Sequence, residues 1–186
     1  PSARNYYPRL YGAKFIKGAI AGTLTRDGCI GYVADYPTYG SIASINAFAQ
    51  GARMVNANAR IYLDWAHLRD GGAVGRLQAQ GIVYIDYLDR LAASTGTQMG
   101  NRHNLALIQT HWGRLYQSLV RRVMEGSWKQ EDQGSSAVNY WWGMEQGVVS
   151  VLCSRRLPTG PRRLAGVLRE ALKADRLDPF YGVLMD

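Results

Sequence analysis

Apolar and polar residues along this chain repeat with two periods, about 3.6 and about 2, and each change of period marks an element. Between Tyr6 and Leu24, the residues Tyr11, Phe15, Ala19 and Ile16, Ile20, Leu24 form adjoining apolar stripes, which predicts a helix with Pro8 in its first turn. Gly12, Gly18 and Gly22 each cost roughly 1 kcal/mol of helix propensity against alanine, so the pattern predicts compensation by close packing on a sheet. Cys29 to Ala34 reads as a short apolar strand, stopped at Asp35, Tyr36 and Pro37. After Gly40 the period lengthens again, with Ile42, Ile45, Phe48, Ala49, Ala52 and Val55 on one helical face. Arg60 to Trp65 alternates as a strand, Asp70 to Gln80 leaves room for two helical turns around Leu77, and Gly81 to Ile85 predicts a third strand.

Ser94 to Asn104 reads as loop, and Leu105 to Gln109 as a fourth strand. Trp112, Leu115, Tyr116, Leu119 and Val123 then make the stripe of an amphipathic helix ending at Gly126. Beyond a polar loop from Ser127 to Ser136, Ala137 to Trp142 and Val148 to Cys153 read as two strands or one bent strand. Leu164, Val167, Leu168, Ala171 and Leu172 give the last helix its face, and Pro179 to Met185 predicts an edge strand.

Alternating strands and helices imply an α/β fold, a Rossmann-like three-layer lobe with a mainly parallel sheet. Such sheets bind ligands at the carboxyl ends of their strands, and three strands here end in Asp35-Tyr36, Asp64-Trp65 and Asp86-Tyr87. A carboxylate accepts hydrogen bonds from hydroxyl or amine groups while an aromatic ring offers a stacking face, a pairing suited to a small polar ring compound such as a sugar or nucleoside. The plainer reading is that aspartate after a strand is ordinary turn chemistry. The NYWWG run from Asn139 to Gly143 divides in the same way between a ligand platform and a buried strand.

Composition narrows the classes. The 186 residues are 47% hydrophobic, enough for one substantial core, and no run of apolar residues is long enough to span a membrane. The net charge of +8 is spread singly over Lys14, Lys17, Arg53, Arg60, Arg76, Arg90 and Arg114 with three arginine pairs, a pattern of solvated faces that argues against nucleic-acid binding. The same charge suits an anionic membrane surface. Cys29 and Cys153 sit in apolar runs as small hydrophobes, and neither a disulfide framework nor a metal-ligand spacing can be read. Nucleophile-elbow, zincin, P-loop and dinucleotide motifs are absent, and His67, His103 and His111 are isolated in sequence. The expectation is a binding module without cofactor, metal or catalytic site.

With these residues in view, the chain resembles the substrate-binding proteins of the basic membrane lipoprotein family, which serve ABC importers and have the type I periplasmic-binding fold. YGAKFIKGAIAGTLTRDGCIGYVADYP looks like that family's helix-then-strand entry to its second lobe. SINAFAQGARMVNANARIYLDW resembles the next helix and strand, with Asn46, Phe48 and Gly51 on the family's N-x-F-x-x-G pattern. HWGRLYQSLVRRVMEGSW looks like the helix after the chain crosses back to the first lobe. The resemblance implies a second-lobe α/β domain over residues 1–110, with residues 111–186 supplying a crossing helix, a return strand and a C-terminal helix. It implies a first lobe preceding Pro1, a polar solute such as a nucleoside or sugar, an ABC permease as partner, and an extracytoplasmic, membrane-anchored parent. Asp35, Tyr36, Tyr39, Trp65, Asp86, Asp89 and Trp112 are the expected ligand contacts. Where nucleoside-binding members carry a lysine before the crossing helix, this chain has Thr110, His111 and Trp112. A ligand-sensing effector domain of a regulator is the alternative function, and a homodimer through the exposed sheet edge or the lobe face is a further expectation.

Overall fold

The computed structural model describes residues 4–36, 39–67, 72–88, 90–94, 102–127 and 138–181. Its elements in chain order are β1 (Arg4–Pro8), α1 (Tyr11–Leu24), β2 (Cys29–Ala34), α2 (Tyr39–Val55), β3 (Arg60–Trp65), α3 (Ala73–Ala79) and β4 (Tyr84–Tyr87). There follow β5 (Arg90–Ser94), β6 (Arg102–Thr110), α4 (Trp112–Met124), β7 (Val138–Trp142), β8 (Val149–Cys153) and α5 (Thr159–Lys173).

The main sheet has 6 strands in the order β3-β2-β4-β5-β6-β8. β2 pairs in parallel with both β3 and β4, and the remaining pairings are antiparallel. Strands β2, β3, β4 and β6 therefore run one way and only β5 and β8 the other, so the sheet is mainly parallel by direction. Helices cover both of its faces. On one side α1, α2 and α5 share a core with Ile30 and Tyr32 of β2, and on the other α3 packs Ala73 and Leu77 against Val33, Ile82 and Ile85. The expected three-layer α/β lobe is the observed one.

Several local expectations are overturned. Residues Arg4–Pro8 are a strand, not the first turn of a helix: Tyr6 stacks on Tyr140 with ring centroids 5.0 Å apart, and the parallel pairing with β7 uses β-favouring aromatics that a helix would leave unpaired. The supposed loop from Ser94 to Asn104 begins and ends in β5 and β6, because Leu91 is fully buried and draws its strand into the sheet. β4 lies a few residues later than GIVYI suggested, since Gly81 takes a positive φ that ends α3 and delays entry to the ladder. β7 and β8 are not one bent strand; they belong to different sheets, and among the described residues β7 pairs with β1 alone. Pro179 and Phe180 form a turn closed by Tyr181 N–H on the Asp178 carbonyl, and the rest of the expected edge strand lies outside the described residues.

The glycines of α1 serve helix against helix rather than helix against sheet. A Cβ on Gly18 would stand 2.0 Å from the Phe48 carbonyl oxygen, and one on Gly51 would stand 2.0 Å from that of Phe15. The two helices thus interlock at backbone contact, and α1 is buried from Gly12 to Gly22. α4 behaves in the opposite way. Only Leu115 of its apolar stripe is buried, while Tyr116, Val120, Val123 and Met124 are exposed.

Candidate functional site

The parallel trio β3-β2-β4 directs its carboxyl ends to one edge of the sheet. Leu88, just past β4, has φ 51, a left-handed conformation that a leucine adopts only when held. The clamp is Lys14, whose Nζ donates to the Leu88 carbonyl at 2.5 Å and to Asp86 Oδ2 at 2.7 Å, while the cation lies 5.0 Å from the Tyr32 ring centroid. Lys17 approaches the other carboxylate oxygen, Oδ1, at 2.5 Å. All three charged groups are buried. Lys14 and Lys17 are therefore not members of a solvated face, as their spacing in sequence suggested; a wholly buried helix that carries two lysines at i and i+3 was the available signal.

Beside this cluster lies an open pocket of ≈ 290 Å³ lined by Tyr7, Lys14, Ala34, Asp35, Ser41 and Ser44 among others. Gly40, in the first turn of α2, makes room for one wall: its Cβ would fall 2.0 Å from the Tyr7 hydroxyl oxygen. A wider groove of ≈ 900 Å³ adjoins it across Tyr7, framed by Ile42, Asn46 and Arg53 of α2, Tyr11, and Trp141 of β7. Burial pushes the Tyr11 phenol above its usual range, against the opposing influence of Arg9.

The expected contacts are distributed along this edge. Asp35 lines the pocket, with its side chain half exposed, and pairs with His67 at 2.7 Å. Tyr36 stacks on the His67 ring, 4.8 Å between centroids and 6° from parallel. Trp65 ends β3 opposite Ala34 and packs partly on the core. Asp64 is held by Arg76, Nε to Oδ2 at 2.7 Å and Nη2 to Oδ1 at 3.0 Å. Asp86 stands at the same edge but is sealed from solvent beneath the two lysines. Trp112 opens α4 beyond β6, on the same edge but across β4 and β5 from Asp35, and it is partly exposed. Tyr39 is the first residue of α2, its side chain outside the described set, and Asp89 lies outside the described residues altogether. The structure thus brings Asp35, Tyr36 and His67 together, and places Tyr7, Ser41 and Ser44 beside Asp35. None of the last three stands out in sequence: Tyr7 is one aromatic in a strand, and a serine near a helix start is usually only a cap.

No grouping of His, Cys, Asp and Glu suited to a metal occurs among the described residues. None of the described helices is long and apolar enough to cross a membrane.

No family model matches the chain. It is 25% identical over 198 aligned positions to a purine-binding protein of Brucella abortus, covering 95% of this chain and 55% of that protein. It is 28% identical over 164 positions to a protein of Haloferax volcanii assigned as an ABC transporter glucose-binding protein, covering 77% and 40%. The chain thus spans about half the length of the curated relatives it matches. In structure it is similar to an ABC transporter solute-binding protein of Conexibacter woesei, with a TM-score of 0.64 at 13% identity over 93% of this chain and 64% of the other. A transcriptional activator of the comK gene from Bacillus halodurans scores 0.64 at 16% identity, over 96% and 67%.

The fold is periplasmic-binding-protein-like, and the two sequence relatives are binding proteins, one of purines and one assigned to glucose binding for an ABC transporter. More narrowly, the likeness to basic membrane lipoprotein-type substrate-binding proteins read from the YGAKF and SINAF segments stands.

Proposed function

We propose that this chain supplies the second lobe of an extracytoplasmic substrate-binding protein that hands a small polar solute, a nucleoside or a sugar, to an ABC importer. The observation that carries the reading is the pocket at the carboxyl edge of the parallel strands, where Asp35, Ser41 and Ser44 line one space. Asp35, Tyr36, Tyr39, Trp65, Asp89 and Trp112 remain the proposed contacts, whereas buried Asp86 supports the site through Lys14 and Leu88.

A first lobe closing on this edge is supported by two features. Among the described residues, β1 and β7 form a 2-stranded parallel sheet apart from the main one, an arrangement that seldom stands without further strands and covering helices. α4 exposes an apolar stripe beside it, with the Arg122 guanidinium over Tyr140 and Trp142 of β7 at 5.3 and 5.7 Å. On this reading residues 1–110 and 111–186 divide as second-lobe domain and crossing elements, and the parent is anchored at the membrane beside its permease.

The test is calorimetric titration of the parent protein, both lobes present, with adenosine and with glucose, followed by uptake of the bound solute in cells lacking the parent. Micromolar or tighter binding of one solute, with uptake lost in its absence, is expected. A parent that binds neither overturns the reading. The Bacillus halodurans neighbour is a regulator on an equally similar fold, which favours a sensing role as the second reading. Solute-dependent transcription with unchanged uptake would establish that one instead.

A further inference from the structure

Pairing between β2 and β3 does not stop at the strand ends. Ala34 stands opposite Trp65, and the Ala66 N–H donates to the Ala34 carbonyl at 2.8 Å, so the ladder continues for one more bond. The register carried forward sets Tyr36 across from His67, and their rings meet as a near-parallel stack, 4.8 Å between centroids. The same imidazole places Nε2 2.7 Å from Asp35 Oδ1. An ionised carboxylate only accepts hydrogen bonds, so Nε2 carries the proton and Nδ1 is the ring's other polar atom. One side chain therefore holds both Asp35, which lines the pocket, and Tyr36, the residue that follows it. All three are about half exposed, at the surface rather than in the core, and Asp35 lines the pocket.

We propose that His67 is a positioning residue of the ligand site: it fixes the Asp35 carboxylate and one face of Tyr36 before ligand arrives, leaving Asp35 Oδ2 and the opposite Tyr36 face for a flat ring bearing N–H or O–H donors. The inference rests on the binding function proposed above and adds a residue whose isolation in sequence concealed it. Its physical content is preorganisation. Exposed side chains lose rotamer freedom when a ligand immobilises them, and a stack and a polar contact already formed reduce that loss for two contacts together. His67 also shields one Tyr36 face, so a bound ring meets a single open face and one approach direction.

The test uses the parent protein with adenosine and glucose as probes. His67→Ala is expected to weaken the probe that binds by about tenfold, with the midpoint of thermal unfolding unchanged because the site is exposed. His67→Phe, which keeps the stack and loses the Asp35 contact, is expected to lie between wild type and His67→Ala. In an Asp35→Ala/Tyr36→Ala background His67→Ala should change affinity less than twofold, since the groups it acts through are gone. Wild-type affinity in His67→Ala, or an undiminished tenfold loss in the double background, overturns the proposal. An unsubstituted parent that binds neither probe is a different result, and it removes the binding function itself.

Discussion

The buried cluster of Lys14, Lys17 and Asp86 makes a prediction in which two substitutions at one site differ sharply. Each lysine nitrogen lies 2.5–2.7 Å from a carboxylate oxygen, an attraction of roughly 6 kcal/mol per pair at an effective dielectric of about 20. Against it stands a desolvation penalty of several kcal/mol for each ion. Two cations share one anion, so the carboxylate is the group on which both depend. Asp86→Asn removes the anion, turns an amide donor toward one ammonium, and leaves two buried cations poorly compensated. It should cost about 3–5 kcal/mol, the range for breaking a buried pair, or roughly 6–20 °C in the unfolding midpoint for a chain of this size. Lys17→Met keeps the volume and leaves Lys14 and Asp86 as a neutral pair, so it should lie within about 1 kcal/mol of wild type. Replacing all three by Leu and Met (Asp86→Leu with Lys14→Met and Lys17→Met) should recover much of the loss. Circular dichroism melts and urea titrations at neutral pH measure all of these. If Asp86→Asn unfolds within 1–2 °C of wild type, or Lys17→Met is the more damaging change, the charge argument fails.

Three other outcomes follow from features already described. Gly18→Ala should destabilise by about 2–4 kcal/mol despite better helix propensity, because its methyl meets the Phe48 carbonyl, whereas Gly166→Ala in α5, with nothing within 4 Å of its Cβ, should stabilise by roughly 0.5–1 kcal/mol; paired denaturant curves decide both. Burial pushes the Cys153 thiol up against the opposing influence of Arg169 and Arg162, so iodoacetamide labelling of the folded protein should reach half-maximal rate at a pH above the ordinary thiol range, and a midpoint at or below that range would contradict it. The Cys29 N–H and the Thr25 hydroxyl hold Asp27 below its ordinary 3.8, so the stability it contributes is fully present above 3.8 and is lost as pH falls through its lower folded value. Asp27→Asn should therefore flatten the stability curve in that acid window and leave its slope near neutrality unchanged.

The layered architecture was legible because it depends on periodicity. β2, α2 and β3 appear at the positions that their apolar spacing predicted, and the parallel register brings the Asp-aromatic strand ends to one edge. What was not legible depends on pairing across long sequence distance. Arg4–Pro8 has an aromatic pattern that suits either a helix start or a strand, and only β7, more than a hundred residues later, decides it. Lys14 and Lys17 look like ordinary surface charges until Asp86 is set beneath them. At the site itself, Asp35 and Tyr36 were visible from the strand-end chemistry. Tyr7 and His67 were not, since Tyr7 reaches the pocket through the space left by Gly40, and His67 meets Asp35 and Tyr36 only because the β2–β3 pairing continues past the strand ends.

The reciprocal contacts of Gly18 with Phe48 and of Gly51 with Phe15 have a mechanical consequence. Sliding α1 along α2 by one residue would drive a Cβ into a carbonyl, so the pair is keyed in register and cannot shear. Lys14 and Lys17 ride on one keyed helix, and Ser41 and Ser44 on the other. Any movement of the pocket wall on ligand arrival must then be carried by the pair as a rigid unit.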